Sequence, residues 1–230
     1  MIARAGRFAA LAATLVCLDV AGASTLGTES QRAREELALK VLASGPVQEQ
    51  LARTETLYGQ SQPSRTPSGK STIESAAKSI ALASVQYALS EDGSHPVAMW
   101  SCNAPHRWFG LDVPRSGYGV DNPDNVYRWV AIDGVSKYEI RGHMKEPGPL
   151  QETFILYSSI PGMNPMNREG AGMVGTLRSD QMSIGPDGSF TITIDPDPAG
   201  GRPNHIQSNS TAKLLIVRDT LSDWSKQNPV

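Results

Sequence analysis

Residues 118–142 read YGVDNPDNVYRWVAIDGVSKYEIRG, and this stretch decides the fold. A cluster of turn-forming carboxylates and amides, Asp121-Asn122-Pro123-Asp124-Asn125, leads into an apolar run from Val126 to Ile132. Asp133-Gly134 ends the run, after which Tyr138 and Ile140 alternate with Lys137, Glu139 and Arg141. Asn and Asp side chains hydrogen-bond nearby backbone, and Gly accepts positive φ, so these residues build turns. Alternation with period two is the mark of a strand with one wet face. The stretch therefore predicts two strands joined by a hairpin turn at Asp133-Gly134.

The same grammar continues toward the C-terminus. Phe190, Ile192 and Ile194 alternate with Thr191, Thr193 and Asp195, and Gly185-Pro186-Asp187-Gly188 reads as another hairpin turn. Val126–Ile132, Phe154–Tyr157 and Leu214–Val217 are apolar at successive positions, as expected of strands covered on both faces. Two irregular segments, Pro161 to Gly175 and Asp195 to Ser210, are rich in Gly, Pro and Asn and of a length expected of functional or disordered loops.

Upstream the period changes to that of a helix. Leu37, Leu39, Val41, Leu42, Val47 and Leu51 predict a helix over residues 30–56, interrupted at Gly45-Pro46. A Ser/Pro/Gln linker follows near 59–70. A second helix is predicted from Ser71, with Ser71 and Glu74 at capping-box spacing, to about Asp92-Gly93. The fold class expected is α+β. A helical region spans 24–95, and an antiparallel, jelly-roll-like β-sandwich of about 6–8 strands occupies 96–230.

Arg4 and Arg7, an apolar run from Phe8 to Val20 and the small residues Ala21-Gly22-Ala23 predict a signal peptide over residues 1–23. The expected location is secreted or periplasmic, with no stable membrane insertion after cleavage. The chain has 230 residues and a formal charge of -2. Residues 1–23 contribute two Arg and one Asp, so their removal leaves -3. The basic residues are dispersed, which argues against nucleic-acid partners. Removal also takes Cys17, leaving Cys102 as one thiol without an intramolecular partner.

Ser68-Gly69-Lys70-Ser71 imitates the end of a phosphate-binding loop, but Ser64 stands where the first glycine is required. His95, His106, His143 and His205 form no metal-binding pair, and no metal or cofactor is called for. No G-x-S-x-G elbow marks a serine nucleophile. The candidate ligand-binding residues are Arg107, Trp108, Asp121, Asp124 and Arg128. Aromatic faces with guanidinium and carboxylate groups suit an oxygenated or cyclic ligand. The alternative reading makes the Asp and Asn turn-formers and the aromatics core. Asp121 and His143 are the candidates for acid–base chemistry. Asn209, in Asn209-Ser210-Thr211, is a glycosylation acceptor if the chain is exported into a glycosylating compartment.

The order of several motifs resembles a family catalogued only as a domain of unknown function, number twelve-fourteen. They are ALASVQYALS at 81–90, Asp121 to Tyr127, and Asp133-Gly134 with Tyr138 to Gly142. SIGPDGSFTITI at 183–194 and Leu215 to Thr220 with Asp223-Trp224 complete the set. The resemblance covers about residues 75–226 and implies a β-sandwich without assigned activity. Relatives usually continue beyond the Asp-Trp segment, so this chain reads as shortened at its C-terminus.

Two functions follow as expectations. The first is an exported accessory or tailoring protein acting on a small organic molecule, in a specialised metabolic pathway, through the Arg107, Asp121, Asp124 and Arg128 cluster. The second is a non-catalytic sandwich binding a carbohydrate or protein partner through Trp100, Trp108 and the loops.

Overall fold

The computed structural model describes residues 27–101, 104–108, 110–117, 121–159 and 172–227. Among the described residues four helices precede ten strands, an α+β arrangement. Helix α1 (Glu29–Leu42) is capped by the Thr28 hydroxyl, which accepts from Gln31 N–H. Helix α2 (Gly45–Gly59) begins with Pro46 in its first turn, where a missing N–H costs nothing. The break at Gly45-Pro46 falls where the sequence placed it.

The 59–70 segment is more ordered than a linker. A short helix α3 (Pro67–Ser71) forms there, capped by Thr66, whose hydroxyl accepts from Gly69 N–H. The capping box predicted at Ser71 does not form. Helix α4 (Ile73–Ala88) starts after Thr72, and the Ser71 hydroxyl donates to the Ser68 carbonyl. The short helix thus uses Ser71 as its own last residue. Helix α4 ends at Ala88, short of Asp92-Gly93.

The strands are β1 (Met99–Ser101), β2 (His106–Trp108), β3 (Leu111–Val113), β4 (Asn125–Ala131), β5 (Tyr138–His143), β6 (Gln151–Tyr157), β7 (Met173–Arg178), β8 (Ser189–Asp195), β9 (His205–Gln207) and β10 (Leu214–Thr220). Five form one sheet in the order β1-β4-β10-β6-β7, and three form another in the order β5-β8-β9. Strands β2 and β3 make a separate ribbon. All pairings are antiparallel except β8 with β9.

Strands β4, β10 and β6 occupy the middle of the larger sheet, which explains their apolar residues at successive positions. On one face Tyr127, Trp129, Leu214, Ile216 and Tyr157 pack with Tyr87 of α4. The Tyr87 and Trp129 rings lie 4.7 Å apart, a favourable aromatic separation. On the other face Phe154, Leu156, Leu215 and Val217 meet Phe190, Ile192 and Ile194 of the smaller sheet. The result is three layers: helices, five-stranded sheet, three-stranded sheet.

Asp133-Gly134 is a turn but not a hairpin, because β4 and β5 belong to different sheets. The Asp133 carboxylate accepts from Val135 N–H, Ser136 N–H and the Ser136 hydroxyl, so the chain bends across the sandwich. Gly134 has φ +78°, and a Cβ there would fall 2.4 Å from the Asn209 carbonyl oxygen. Likewise Gly185 to Gly188 closes a turn that leads into β8 rather than joining two paired strands.

Helix α1 also protects the sheet edge. The Gln31 side-chain amide donates to the Trp100 carbonyl at 3.1 Å and accepts from Trp100 N–H at 2.8 Å. It thereby takes the place of a neighbouring strand beside β1, satisfying backbone groups that an open edge leaves bare. Gln31 also donates to buried Glu35, which lies 3.1 Å from His106 Nε2.

Gly142 stands opposite Phe190 in the β5–β8 pair, and a Cβ at Gly142 would lie 2.1 Å from Phe190 Cζ. The ring uses the space that the missing side chain leaves, and it meets Phe154 at 6.1 Å edge to face. Gly142→Ala should overpack this contact and cost about 1–3 kcal/mol, read as a lower denaturation midpoint at unchanged slope.

Candidate functional site

The two sheets close unequally. On one side β7 approaches β9, and a Cβ added to Gly175 would lie 2.9 Å from Ile206 Cγ2. On the opposite side the sheets end in β1 and β5, and between them lies a cleft of about 550 Å³. Val130, Ile132, Leu215 and Val217 form its wall on the larger sheet. Tyr138, Ile140 and Phe190 face them from the smaller one. Pro96 and Ala98, just ahead of β1, complete the mouth.

One end of this apolar cleft is charged. Strand register places Glu152 of β6 directly opposite Asp219 of β10, and Arg128 of β4 opposite Val217. Residues two apart share a face, so Glu152 lies in line with Phe154 and Leu156, and Asp219 with Val217 and Leu215. Both acids therefore sit on the inner, apolar face. Glu152 is 2 % exposed and Asp219 0 %. Arg128 Nη1 donates to Asp219 Oδ2 at 2.6 Å. Arg128 and Glu152 both line the cleft.

The trio brings two carboxyl groups and one guanidinium close together. Burial, and then the charge on Asp219, push Glu152 up to about 8, against a smaller opposing pull from Arg128. Near neutral pH Glu152 is a carboxylic acid. Its Oε2 is buried without a hydrogen-bond partner among the described residues. Such a group offers a hydrogen-bond donor and exchangeable proton to whatever occupies the cleft.

Of the residues singled out from sequence, Arg128 and His143 line the cleft. His143 stands at its mouth, exposed on β5. Asp121 and Asp124 lie outside the lining, at the start of β4. There Asn122 Oδ1 accepts from Asp124 N–H, and the Asp124 carbonyl accepts from Leu221 N–H. Arg107 is on the β2–β3 ribbon with Asp112 3.4 Å away, both exposed. The backbone of Trp108 pairs with Leu111 in that ribbon. The structure thus does not bring Arg107, Asp121 and Asp124 together with Arg128.

Asn209 is exposed, and its side chain accepts from Thr211 N–H and hydroxyl. Asp195 accepts a forked pair of bonds from Arg202, which holds its carboxyl down at about 2 and braces the 195–204 loop. Among the described residues no cluster of three or more His, Cys, Asp or Glu side chains is placed to hold a metal. No described helix is long and apolar enough to cross a membrane. The predicted signal peptide, Cys102 and most of the 161–175 segment lie outside the described residues.

Glu152 and Asp219 escaped the sequence reading, although their signal was present. QETFILY and LLIVRDT each place an acid on the same alternating set as buried apolar residues. A charge in phase with a core face marks a buried polar group.

No known protein-family profile matches this sequence, and no curated protein matches it. Among solved structures it is similar to an uncharacterized protein from Burkholderia cenocepacia, with TM-score 0.58 and 22% identity. That match covers 84% of this chain and 49% of the other, so the chain spans about half the length of that relative. A protein from Vibrio parahaemolyticus aligns over 46% of this chain and 28% of its own, at TM-score 0.33 and 18% identity. The Burkholderia protein shares the fold.

Two outcomes test the charged end. Native Glu152 keeps its proton to about pH 8, whereas the unfolded chain releases it near its ordinary value of 4.5. Between these limits the folded state holds the extra proton, so stability falls as pH rises through that window. Denaturant midpoints measured across it should decline for the wild type and stay flatter for Glu152→Gln. The carboxylates of Asp92, Asp133 and Asp195, held down at about 2, act only at lower pH. Separately, Arg128→Ala removes the 2.6 Å ion pair to the buried Asp219 carboxylate and should cost about 3–5 kcal/mol.

Proposed function

We propose that this protein holds a small, largely apolar organic molecule between its two sheets, with the molecule's polar end against Arg128 and Glu152. The observation that carries the reading is the cleft itself. Its volume of about 550 Å³ falls in the range of small-molecule sites, and its apolar walls converge on a few polar groups. This supports the role of an accessory or tailoring protein for a small metabolite. Proton exchange at Glu152 is the chemistry such a role would draw on.

Export through residues 1–23 and kinship with the domain-of-unknown-function family belong to the same proposal, the latter on its ordered motifs. The carbohydrate- or protein-binding alternative relied in part on Trp100. Its ring packs against His106 at 5.3 Å and its backbone is occupied by Gln31, which favours a structural use.

Methyl and aromatic NMR signals locate an occupant. Indole or a similar aromatic, added to millimolar concentration, should shift Val130, Ile140 and Leu215 together. Val130→Trp, which fills the cleft from its wall, should abolish those shifts, while Arg107→Ala and Asp121→Ala leave them intact. Shifts confined to other surfaces, or persisting in a folded Val130→Trp protein, would contradict the reading.

A further inference from the structure

Resting on the cleft reading, we infer that the molecule held there is a small neutral carbonyl compound (a ketone, ester or amide). Its carbonyl oxygen is received at the Arg128–Glu152 end, and its apolar body lies along Val130, Ile140 and Phe190. The starting point is a set of unused donors. A guanidinium carries five N–H groups and no acceptor. Among the described residues Arg128 makes one hydrogen bond, from Nη1 to Asp219 Oδ2. Its side chain is only 16 % exposed and lines the cleft beside Val130. Its remaining N–H groups are drawn largely out of bulk water, so they need an oxygen inside the cleft.

Glu152 adds to the same supply. It lines the cleft two strands from Arg128, across β10, and its Oε2 has no hydrogen-bond partner among the described residues. Protonated near neutral pH, its carboxyl is one more donor. The side chains around the pair are poor acceptors, since Phe154, Phe190 and Val217 are apolar. The ligand's own charge is set by the local field. At Glu152, Asp219 pushes the carboxyl up by more than Arg128 pulls it down, and a ligand carboxylate in that place would meet the same excess. An ammonium, all donor, would instead face the guanidinium's own N–H groups. A neutral oxygen acceptor avoids both conflicts.

Glu152 donates only while it holds its proton, so carbonyl binding should weaken as pH rises through about 8. The other charged or titratable groups around the cleft are Arg128 and Asp219 at its inner end, and Tyr138, Glu139, Arg141 and His143 of β5. Tyr138 donates its hydroxyl to the Gly93 carbonyl, and Glu139 is paired with Arg141. Glu152→Gln keeps all six of these groups, and its amide keeps a donor, so it isolates the proton on Glu152 as the cause.

The test uses three probes of similar shape on the full chain: 4-phenylbutan-2-one, 4-phenylbutan-2-amine and 4-phenylbutanoate. NMR titration reads affinity, and isotope-edited infrared difference spectra read the carbonyl stretch of the bound ketone. The ketone should bind most tightly, with its stretch at or below the frequency it has in water. Glu152→Leu should weaken it about 5-fold, the net worth of one hydrogen bond, and move the stretch toward its value in an apolar solvent. Glu152→Gln should hold the affinity within about twofold and abolish its decline above pH 8. Tighter binding of the amine or the carboxylate, a bound stretch at the apolar-solvent value, or a decline that persists in Glu152→Gln would overturn the carbonyl assignment and leave the cleft standing. No probe binding at millimolar concentration, or ketone binding that survives in folded Val130→Trp protein, would overturn both.

Discussion

Strands β4, β10 and β6 carry apolar side chains on both faces, so the sheet they form cannot leave either face to water. Helix α4 covers one side through Tyr87 on Trp129, and β8 covers the other through Phe190, Ile192 and Ile194. At about 25 cal/mol per Å² of apolar surface, this double cover is the main favourable contribution to the fold. The remaining features follow from how the two covers attach. Gln31 and the short turns fix the helical layer at the β1 edge, and the Gly134 bend carries the chain from one sheet to the other.

The inner cover is incomplete by construction. The smaller sheet has three strands against five, and it meets the larger one closely at β7 and β9. Contact on that side leaves a gap on the other, where short β1 and edge strand β5 do not meet. An apolar cleft thus arises from the mismatch in width. What distinguishes it from a packing defect is its end, where an acid pair and an arginine stand on a face otherwise filled with Val, Leu and Phe. Replacing such a group with an apolar residue is commonly neutral or stabilising, so its presence is weak grounds for stability and better grounds for use.

Much of the architecture was legible in the sequence because it rests on local pattern. Alternation in FTITI, doubly apolar runs such as LLIV and the Gly45-Pro46 break each reflect short-range periodicity or backbone restriction. Sheet membership was not legible. Asp133-Gly134 has the composition of a hairpin turn, yet its strands pair elsewhere, since pairing depends on contacts such as β4 with β10, far apart in the chain. Arg128 emerged as a site residue from a motif whose other members, Asp121 and Asp124, lie at the turn before β4 and outside the cleft. Its partners Glu152 and Asp219 come from two other strands, so only the assembled sheet brings the three together.

The central claim is that an acid buried beside the Arg128–Asp219 ion pair stays protonated at neutral pH and keeps the cleft ready for a polar guest. Carbon-13 NMR of the Glu152 side-chain carboxyl, followed across pH in the unliganded protein, measures this directly. The account predicts a titration midpoint near 8, moved downward by Asp219→Asn because the neighbouring negative charge is gone. A midpoint at the ordinary glutamate value, insensitive to that substitution, would contradict it.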